Sequence, residues 1–160
     1  MMKVDKDSRP YYLSGFHWTA MYARARDYRK ELFHVCCQPN IRTWRTEKAI
    51  DLSNPVKLGE GTFGEVFLVK FEAKTVALKI IPVGGKKLIN GDRQKTFREI
   101  VAELIVSKEL SDLNRYEDGF STEGFIRLMG TAVVKGIYPK TLVKAWEEYD
   151  EQYKSENEHP

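Results

Sequence analysis

The sequence predicts an α+β fold in which a glycine-rich hairpin belongs to a small antiparallel sheet and one long helix packs beside it. Two observations carry this prediction. The glycines of residues 59–64 are followed by a β-prone apolar run at residues 66–69, so they lie in a strand–turn–strand. Residues 94–110 contain no proline or glycine, and their apolar side chains recur at helical spacing. The chain thus combines a hairpin with one main helix.

The N-terminal third is basic and is predicted to be helical. Residues 1–50 carry 10 Lys and Arg against 5 Asp and Glu, whereas residues 51–160 carry 16 against 18. A helix is predicted over 19–37, because apolar residues recur there at alternating spacings of four and three. Its apolar stripe is Met21, Ala25, Tyr28, Leu32 and Val35. The basic flanks of residues 19–37 could contact nucleic acid, an acidic surface or a partner helix, or they could be solvated while the stripe packs on the rest of the protein.

The glycine-rich stretch is typical of a cover for nucleotide phosphates. Residues 58–66 read Leu58-Gly59-Glu60-Gly61-Thr62-Phe63-Gly64-Glu65-Val66, a G-x-G-x-x-G-x-V pattern. Glycines let backbone amides approach phosphate closely, and Val66 can cover one face of an adenine ring. The dinucleotide-binding fold uses a similar pattern, but there a helix follows the glycines. A glycine-rich turn in an unrelated sheet is the other alternative.

Lys79 is the candidate partner of this hairpin. It follows Gly64 by fifteen residues and ends the alternating stretch Val76-Ala77-Leu78-Lys79. From a strand at this position, an ammonium group can reach the α- and β-phosphates of a nucleotide. The competing interpretation is a surface lysine with a buried stem. We assign Ala77 and Lys79 to the candidate nucleotide site.

Glu103 is the predicted ion-pair partner of Lys79. The helix 94–110 has one apolar stripe, formed by Phe97, Val101, Leu104 and Ile105. Glu103 lies about 100–120° from that stripe, at about 100° per residue. Its own neighbours are the apolar Ile100, Val106 and Leu110. A carboxylate in such surroundings needs a cation. Glu99 is a rival beside basic neighbours, and an exposed carboxylate is the alternative for Glu103.

The C-terminal third is predicted to continue with a strand and its return, then a helix. Apolar residues between 125 and 134 suggest the strands. Leu142, Trp146, Tyr149 and Tyr153 recur at spacings of four, three and four, which indicates a helix. Residues 154–160 are predicted to form a frayed tail.

Several of these runs resemble the haspin kinases, a family of atypical histone kinases. The runs 95–100 and 103–110 are similar to the first long helix of that family, and residues 59–67, 123–126 and 138–139 are similar as well. The stretch Leu142-Val143-Lys144-Ala145-Trp146 is more family-specific than the glycine pattern. The resemblance covers about residues 51–150.

The resemblance implies a protein-kinase N-terminal lobe, a twisted antiparallel sheet with one main helix. It implies ATP-dependent phosphorylation of a threonine near the N-terminus of a core histone, in the nucleus or on chromosomes. In such an enzyme Lys79 and Glu103 would be catalytic. The ATP-binding set would be Leu58, Gly59, Glu60, Gly61, Thr62, Phe63, Gly64, Val66, Ala77 and Lys79. The implied organisation is a disordered tail at 1–16, a basic helical extension at 17–50, the lobe at 51–153 and the frayed tail at 154–160.

The sequence also departs from the kinase pattern. It contains no H-R-D-x-x-x-x-N and no D-F-G, so the aspartate that accepts the substrate proton and the magnesium ligands are not found. We therefore expect the C-terminal lobe to be absent and magnesium to bind only if that lobe is supplied. Two functions stay open: the N-terminal part of a serine/threonine kinase, or a catalytically inactive interaction module.

The composition indicates the cellular environment of the protein and the kinds of site it can contain. No apolar run approaches the roughly 20 residues that span a bilayer, and residues 1–7 form no hydrophobic signal region. An intracellular protein without a membrane partner is expected. Cys36 and Cys37 are the only cysteines, which excludes a disulfide framework. The three histidines are scattered, so no metal site is predicted.

Overall fold

A computed structural model describes residues 26–116 and 119–160 of the chain. In chain order the elements are α1 (Tyr28–Val35), β1 (Arg42–Thr43), β2 (Ile50–Gly61), β3 (Gly64–Phe71), β4 (Lys74–Ile80), α2 (Phe97–Asp112), β5 (Val134–Lys135) and α3 (Lys140–Tyr153). The predicted disordered tail at 1–16 lies outside the described residues.

The main sheet is antiparallel, in the order β2-β3-β4. A two-residue turn at Thr62 and Phe63 joins β2 to β3, with Gly61 opposite Gly64. Glu72 and Ala73 join β3 to β4 with φ angles of 47° and 65°. A two-residue turn with positive φ at both positions has a backbone twist that matches the right-handed twist of the strands it joins. The predicted α+β class, a small antiparallel sheet with one main helix, is confirmed.

Helix α3 covers one face of the main sheet. Phe67 of β3 and Leu142 of α3 have no exposed surface, and Val69 and Ala145 are buried beside them. Val76, Leu78 and Ile80 pack on the same cluster. Because side chains alternate along a strand, Ala77 and Lys79 point to the opposite face. Among the described residues, α3 therefore defines a closed face, and the candidate nucleotide residues of β4 lie on the open face.

The main helix α2 packs against α1. Leu32 of α1 is buried against Ile100 and Val101 of α2. Thr96 caps α2 in a capping box with Glu99, so the helix begins at Phe97 instead of the predicted residue 94. The apolar side of α1 thus covers α2, while Arg29 and Lys30 stay exposed.

In the described part of the predicted helix 19–37, helical structure runs only over α1, from Tyr28 to Val35. Residues 19–25, with Met21 and Ala25, lie outside the described residues. Asp27 accepts a hydrogen bond from the Lys30 N–H and starts the helix at Tyr28. Cys37, at φ 49°, takes the left-handed conformation that ends it.

The strand and return predicted between residues 125 and 134 are wrong. The segment pairs only at Val134–Lys135, in parallel with Arg42–Thr43. Side chains hold the preceding residues instead: Asn114 donates to the Phe125 carbonyl at 3.2 Å, and the Leu128 N–H donates to Ser111 at 2.9 Å. The apolar residues of this segment could not reveal that a neighbouring strand is present only at its C-terminal end.

The chain after α3 also differs from the predicted frayed tail. Lys154 is left-handed at φ 60°, and the residues after it return to the glycine hairpin with hydrogen bonds. In residues 26–116 and 119–160, no helix combines the length and the apolar content needed to cross a bilayer.

The packing of α3 on the sheet predicts a large effect for Leu142→Ala. Leu142 is fully buried, and we expect the substitution to lower the free energy of unfolding by about 2–5 kcal/mol. Ile137→Ala is the control, because Ile137 is 92% exposed and the change should stay within about 0.5 kcal/mol. Urea denaturation measures both free energies, provided that the wild type and the variants share the same dependence of the free energy of unfolding on urea concentration. Equal losses of stability in Leu142→Ala and Ile137→Ala would contradict this packing.

Candidate functional site

The predicted nucleotide residues lie on adjacent strands. Gly59 is opposite Val66 across β2 and β3, and Val66 is opposite Lys79 across β3 and β4. Ala77 is opposite Leu68 on the same face as Lys79. Leu58 is half exposed at the start of the glycine stretch. The structure thus brings Val66, Ala77 and Lys79 to one side of the sheet.

The three glycines of the hairpin serve different purposes. A Cβ added at Gly59 or Gly61 would meet nothing within 4 Å, so the backbone there is open to a ligand. A Cβ at Gly64 would lie 2.1 Å from the carbonyl oxygen of Ile80. The close packing of two strands therefore requires Gly64, and phosphate approach is not its first constraint.

Not every predicted residue faces the open side. The Glu60 carboxylate is bound to Lys57 and to the chain after α3, so the Glu60 side chain is not free to contact a nucleotide. Thr62 and Phe63 form the tip of the hairpin. The Thr62 carbonyl accepts a hydrogen bond from Asn90 at 3.1 Å.

Lys79 and Glu103 form the predicted ion pair. The Lys79 Nζ lies 3.0 Å from Glu103 Oε1, joining β4 to the middle of α2. The side chains are 58% and 32% exposed, so the pair is more open than the apolar neighbours of Glu103 suggested. The rival Glu99 is excluded, because its carboxylate accepts bonds from the Thr96 N–H and hydroxyl at 2.7 and 2.6 Å.

A second lysine, which the sequence analysis missed, shares this carboxylate. Lys95 Nζ lies 3.0 Å from Glu103 Oε2 and 5.4 Å from the centre of the Phe63 ring at the hairpin tip. Lys95 precedes the cap of α2, so helical periodicity cannot relate it to Glu103. The basic residue directly before the capping box was the available signal.

The electrostatics of this group suit an anion. Two lysines and one carboxylate give a net charge of +1. Burial alone would raise the pKa of Glu103, but hydrogen bonds and charge from Lys79 and Lys95 lower the pKa below its ordinary value of 4.5. Glu103 is therefore ionised at neutral pH. The open backbone at Gly59 and Gly61 and the two ammonium groups fit a polyphosphate.

The described residues offer no comparable place for a metal. Within residues 26–116 and 119–160, His, Cys, Asp and Glu side chains form no group of three that could hold an ion.

Comparison with known proteins finds relatives that are named haspin or haspin homolog. The serine/threonine-protein kinase haspin of mouse is 41% identical over 157 residues, which are 96% of this chain and 20% of that protein. The haspin homolog of Drosophila melanogaster is 41% identical over 141 residues, 83% of this chain and 25% of that protein. Haspin of cattle is 49% identical over 104 residues, 65% of this chain and 13% of that protein. No protein-family model matches the chain.

The sequence similarity to haspin kinases and the observed fold are consistent with each other. The chain spans about a fifth to a quarter of the length of the first two of these relatives. The antiparallel sheet with its main helix is consistent with a kinase N-terminal lobe.

The Lys79–Glu103–Lys95 group predicts a pH-dependent effect of Glu103→Gln. Because the folded protein lowers the pKa of Glu103, its charge stabilises the fold above pH 4.5, and that contribution is lost as the pH falls through the lowered pKa. The free energies of unfolding of the wild type and Glu103→Gln should differ by up to about 1 kcal/mol at pH 7, since the group is partly exposed, and this difference should shrink as the pH falls below 4.5.

Urea denaturation across this pH range measures the difference. Glu109→Gln, at an exposed position of the same helix, is the control and should change the free energy of unfolding by no more than about 0.5 kcal/mol. A difference for Glu103→Gln that is the same at pH 7 and pH 3 would contradict the stabilising charge.

Proposed function

We propose that this chain, which is haspin-like over most of its own length, is the ATP-binding N-terminal part of a serine/threonine protein kinase. The observation that carries the proposal is the 3.0 Å ion pair between Lys79 and Glu103 at the open face of a glycine-rich hairpin. In kinases a strand lysine held by a helix glutamate binds the phosphates of ATP.

Each group of candidate residues would make a different contact with ATP. The open backbone at Gly59 and Gly61 would donate amides to the phosphates, and Thr62, Phe63 and Gly64 would shape the turn above them. Lys79 would contact the α- and β-phosphates, and Glu103 would orient it. The apolar side chains that would contact the adenine are Leu58, Val66 and Ala77.

These residues provide positioning and charge neutralisation. The protein forms little covalent bonding with the transferred phosphoryl group. Catalysis of phosphoryl transfer therefore depends mainly on positioning and charge neutralisation. ATP supplies the phosphoryl group. Magnesium ligands and the acceptor of the substrate proton would belong to a C-terminal lobe. By the resemblance, we propose a histone-tail threonine as substrate and the nucleus or chromosomes as the location.

A catalytically inactive interaction module is the second candidate. The 160 residues contain neither H-R-D-x-x-x-x-N nor D-F-G, the sequences that hold the proton acceptor and magnesium in kinases. Such a module would keep the lobe as a surface and would show no phosphoryl transfer in any natural form of the protein.

The decisive experiment assays the natural protein that contains this chain, with labelled ATP and a threonine-containing histone N-terminal peptide. We expect transfer to the threonine and at least about a 100-fold loss of kcat/KM for Lys79→Ala, since Lys79 neutralises transition-state charge.

Lys74→Ala is the matched control, because Lys74 is an exposed lysine at the start of the same strand. It should leave kcat/KM within about twofold of the wild type. Transfer that survives Lys79→Ala would overturn the assignment of Lys79. No transfer by the natural wild-type protein would favour the interaction module.

The 160-residue chain by itself is expected to bind ATP weakly or not at all and to transfer no phosphate to histone. Its residues supply the phosphate cover and the lysines without magnesium ligands or a proton acceptor. Calorimetric titration with ATP and the same transfer assay measure this. Transfer by the purified chain that disappears in Lys79→Ala would contradict the expectation.

A further inference from the structure

The segment after α3 turns back and lies on the glycine hairpin. Lys154 takes a left-handed conformation, and its N–H donates to the Asp150 carbonyl at 3.0 Å. The Ser155 N–H then donates to Asp150 Oδ1 at 2.8 Å, which fixes the reversal. Residues 155–158, named here the clamp segment, follow this turn.

The clamp segment binds both carboxylate oxygens of Glu60. The Ser155 hydroxyl donates to Glu60 Oε2 at 2.5 Å, and the Glu156 N–H donates to Glu60 Oε1 at 2.7 Å. Glu60 lies between the first two glycines of the pattern. Two hydrogen bonds from one segment to one carboxylate restrict both the position and the rotation of that side chain.

A buried lysine lies beneath this contact. The Lys57 side chain has no exposed surface, pairs with Glu60, and lies 2.8 Å from Glu65 Oε2. Its ammonium is also 4.4 Å from the centre of the Tyr149 ring of α3. Buried charges need several partners to offset their desolvation, so these contacts depend on one another. Lys57 thereby joins β2, β3 and α3.

Asn157 closes the contact at the hairpin tip. Its side-chain amide lies 3.2 Å from the Gly61 carbonyl and 2.8 Å from Glu65 Oε1, one on each strand, and donates to both. The Glu158 N–H donates to Asn90 Oδ1 at 2.8 Å, and Asn90 in turn donates to the Thr62 carbonyl. The clamp segment therefore reaches both strands and, through Asn90, the turn.

These contacts lie on the closed face of the sheet. Glu65 alternates with Val66 along β3 and shares the side of Phe67, which α3 covers. Lys79 and Val66 point to the open face. The clamp segment thus restrains the hairpin from the closed face and does not occupy the space assigned to the nucleotide.

We infer that Ser155 and Asn157 are positioning residues that hold the glycine hairpin in place for the phosphates of a nucleoside triphosphate. The inference rests on the proposed function for its consequence in binding. A glycine-rich hairpin that is ordered before its ligand arrives loses less conformational freedom on binding, which favours affinity. The burial of Glu60 would raise its pKa, but Lys57, Ser155 and the Glu156 N–H keep the pKa below its ordinary value, so the charge that the clamp segment binds is present at neutral pH.

Hydrogen exchange of the whole chain without nucleotide tests the restraint itself. We expect Asn157→Ala and Ser155→Ala each to accelerate amide exchange in residues 58–66 about fivefold to tenfold, the effect of one typical hydrogen bond. Exchange in α1 and α2 should not change. Ser155→Thr keeps the hydroxyl and should retain slow exchange.

Glu156→Ala is the matched control, because Glu156 is bound through its backbone N–H, which the substitution keeps. Unchanged exchange in residues 58–66 of Asn157→Ala and Ser155→Ala would overturn the inference. Equal acceleration in the hairpin, α1 and α2 would also overturn it, since the segment would then serve only global stability.

A kinetic measurement on the natural protein tests the consequence for binding. Asn157→Ala should raise KM for ATP severalfold with little change in kcat, because the hairpin would have to be ordered by the nucleotide. A fall in kcat at constant KM would contradict a positioning role. If the natural protein transfers no phosphate, the proposed function fails, while the exchange experiment still decides whether residues 155–158 restrain the hairpin.

Discussion

Strand β3 determines where the candidate residues of the sheet lie. It is paired on both edges, and its inward side chains Phe67 and Val69 are buried against α3. A shift of one residue in its register would move these side chains to the open face and expose the core. The same register sets Val66 opposite Lys79. The hydrophobic contact between Phe67 and α3 thus fixes the position of a lysine on the other side of the sheet.

The charged groups on the two sides of the main sheet have opposite net charge. On the closed face Lys57 lies between Glu60 and Glu65, three charges that sum to −1. On the open face Lys79 and Lys95 share Glu103, which leaves +1. The closed face is satisfied by buried internal partners, whereas the open group is partly exposed to solvent. A nucleotide would therefore be attracted to the open face only.

The features predicted from the sequence are those with local signals. Glycine spacing and β-prone flanks located the hairpin, and helical periodicity placed Glu103 within reach of Lys79. Lys95, Lys57 and the clamp segment depend on contacts between residues far apart in the chain. Lys57 carries no signal in the sequence, because nothing local shows that Tyr149 lies above it. The strand prediction for residues 125–134 was wrong for a related reason, because apolar residues alone do not specify a neighbouring strand.

The contact between Gly64 and Ile80 affects how variants of this hairpin can be interpreted. An alanine at Gly64 would force two strands apart, so the amount of folded protein would fall first. Alanine at Gly59 or Gly61 meets no atom within 4 Å and leaves the fold in place. A genetic screen that selects for abundance would therefore reject changes at the third glycine alone. If the proposed function holds, a screen that selects for activity would reject changes at all three. Inactivity of a Gly64 variant is accordingly no measure of nucleotide affinity.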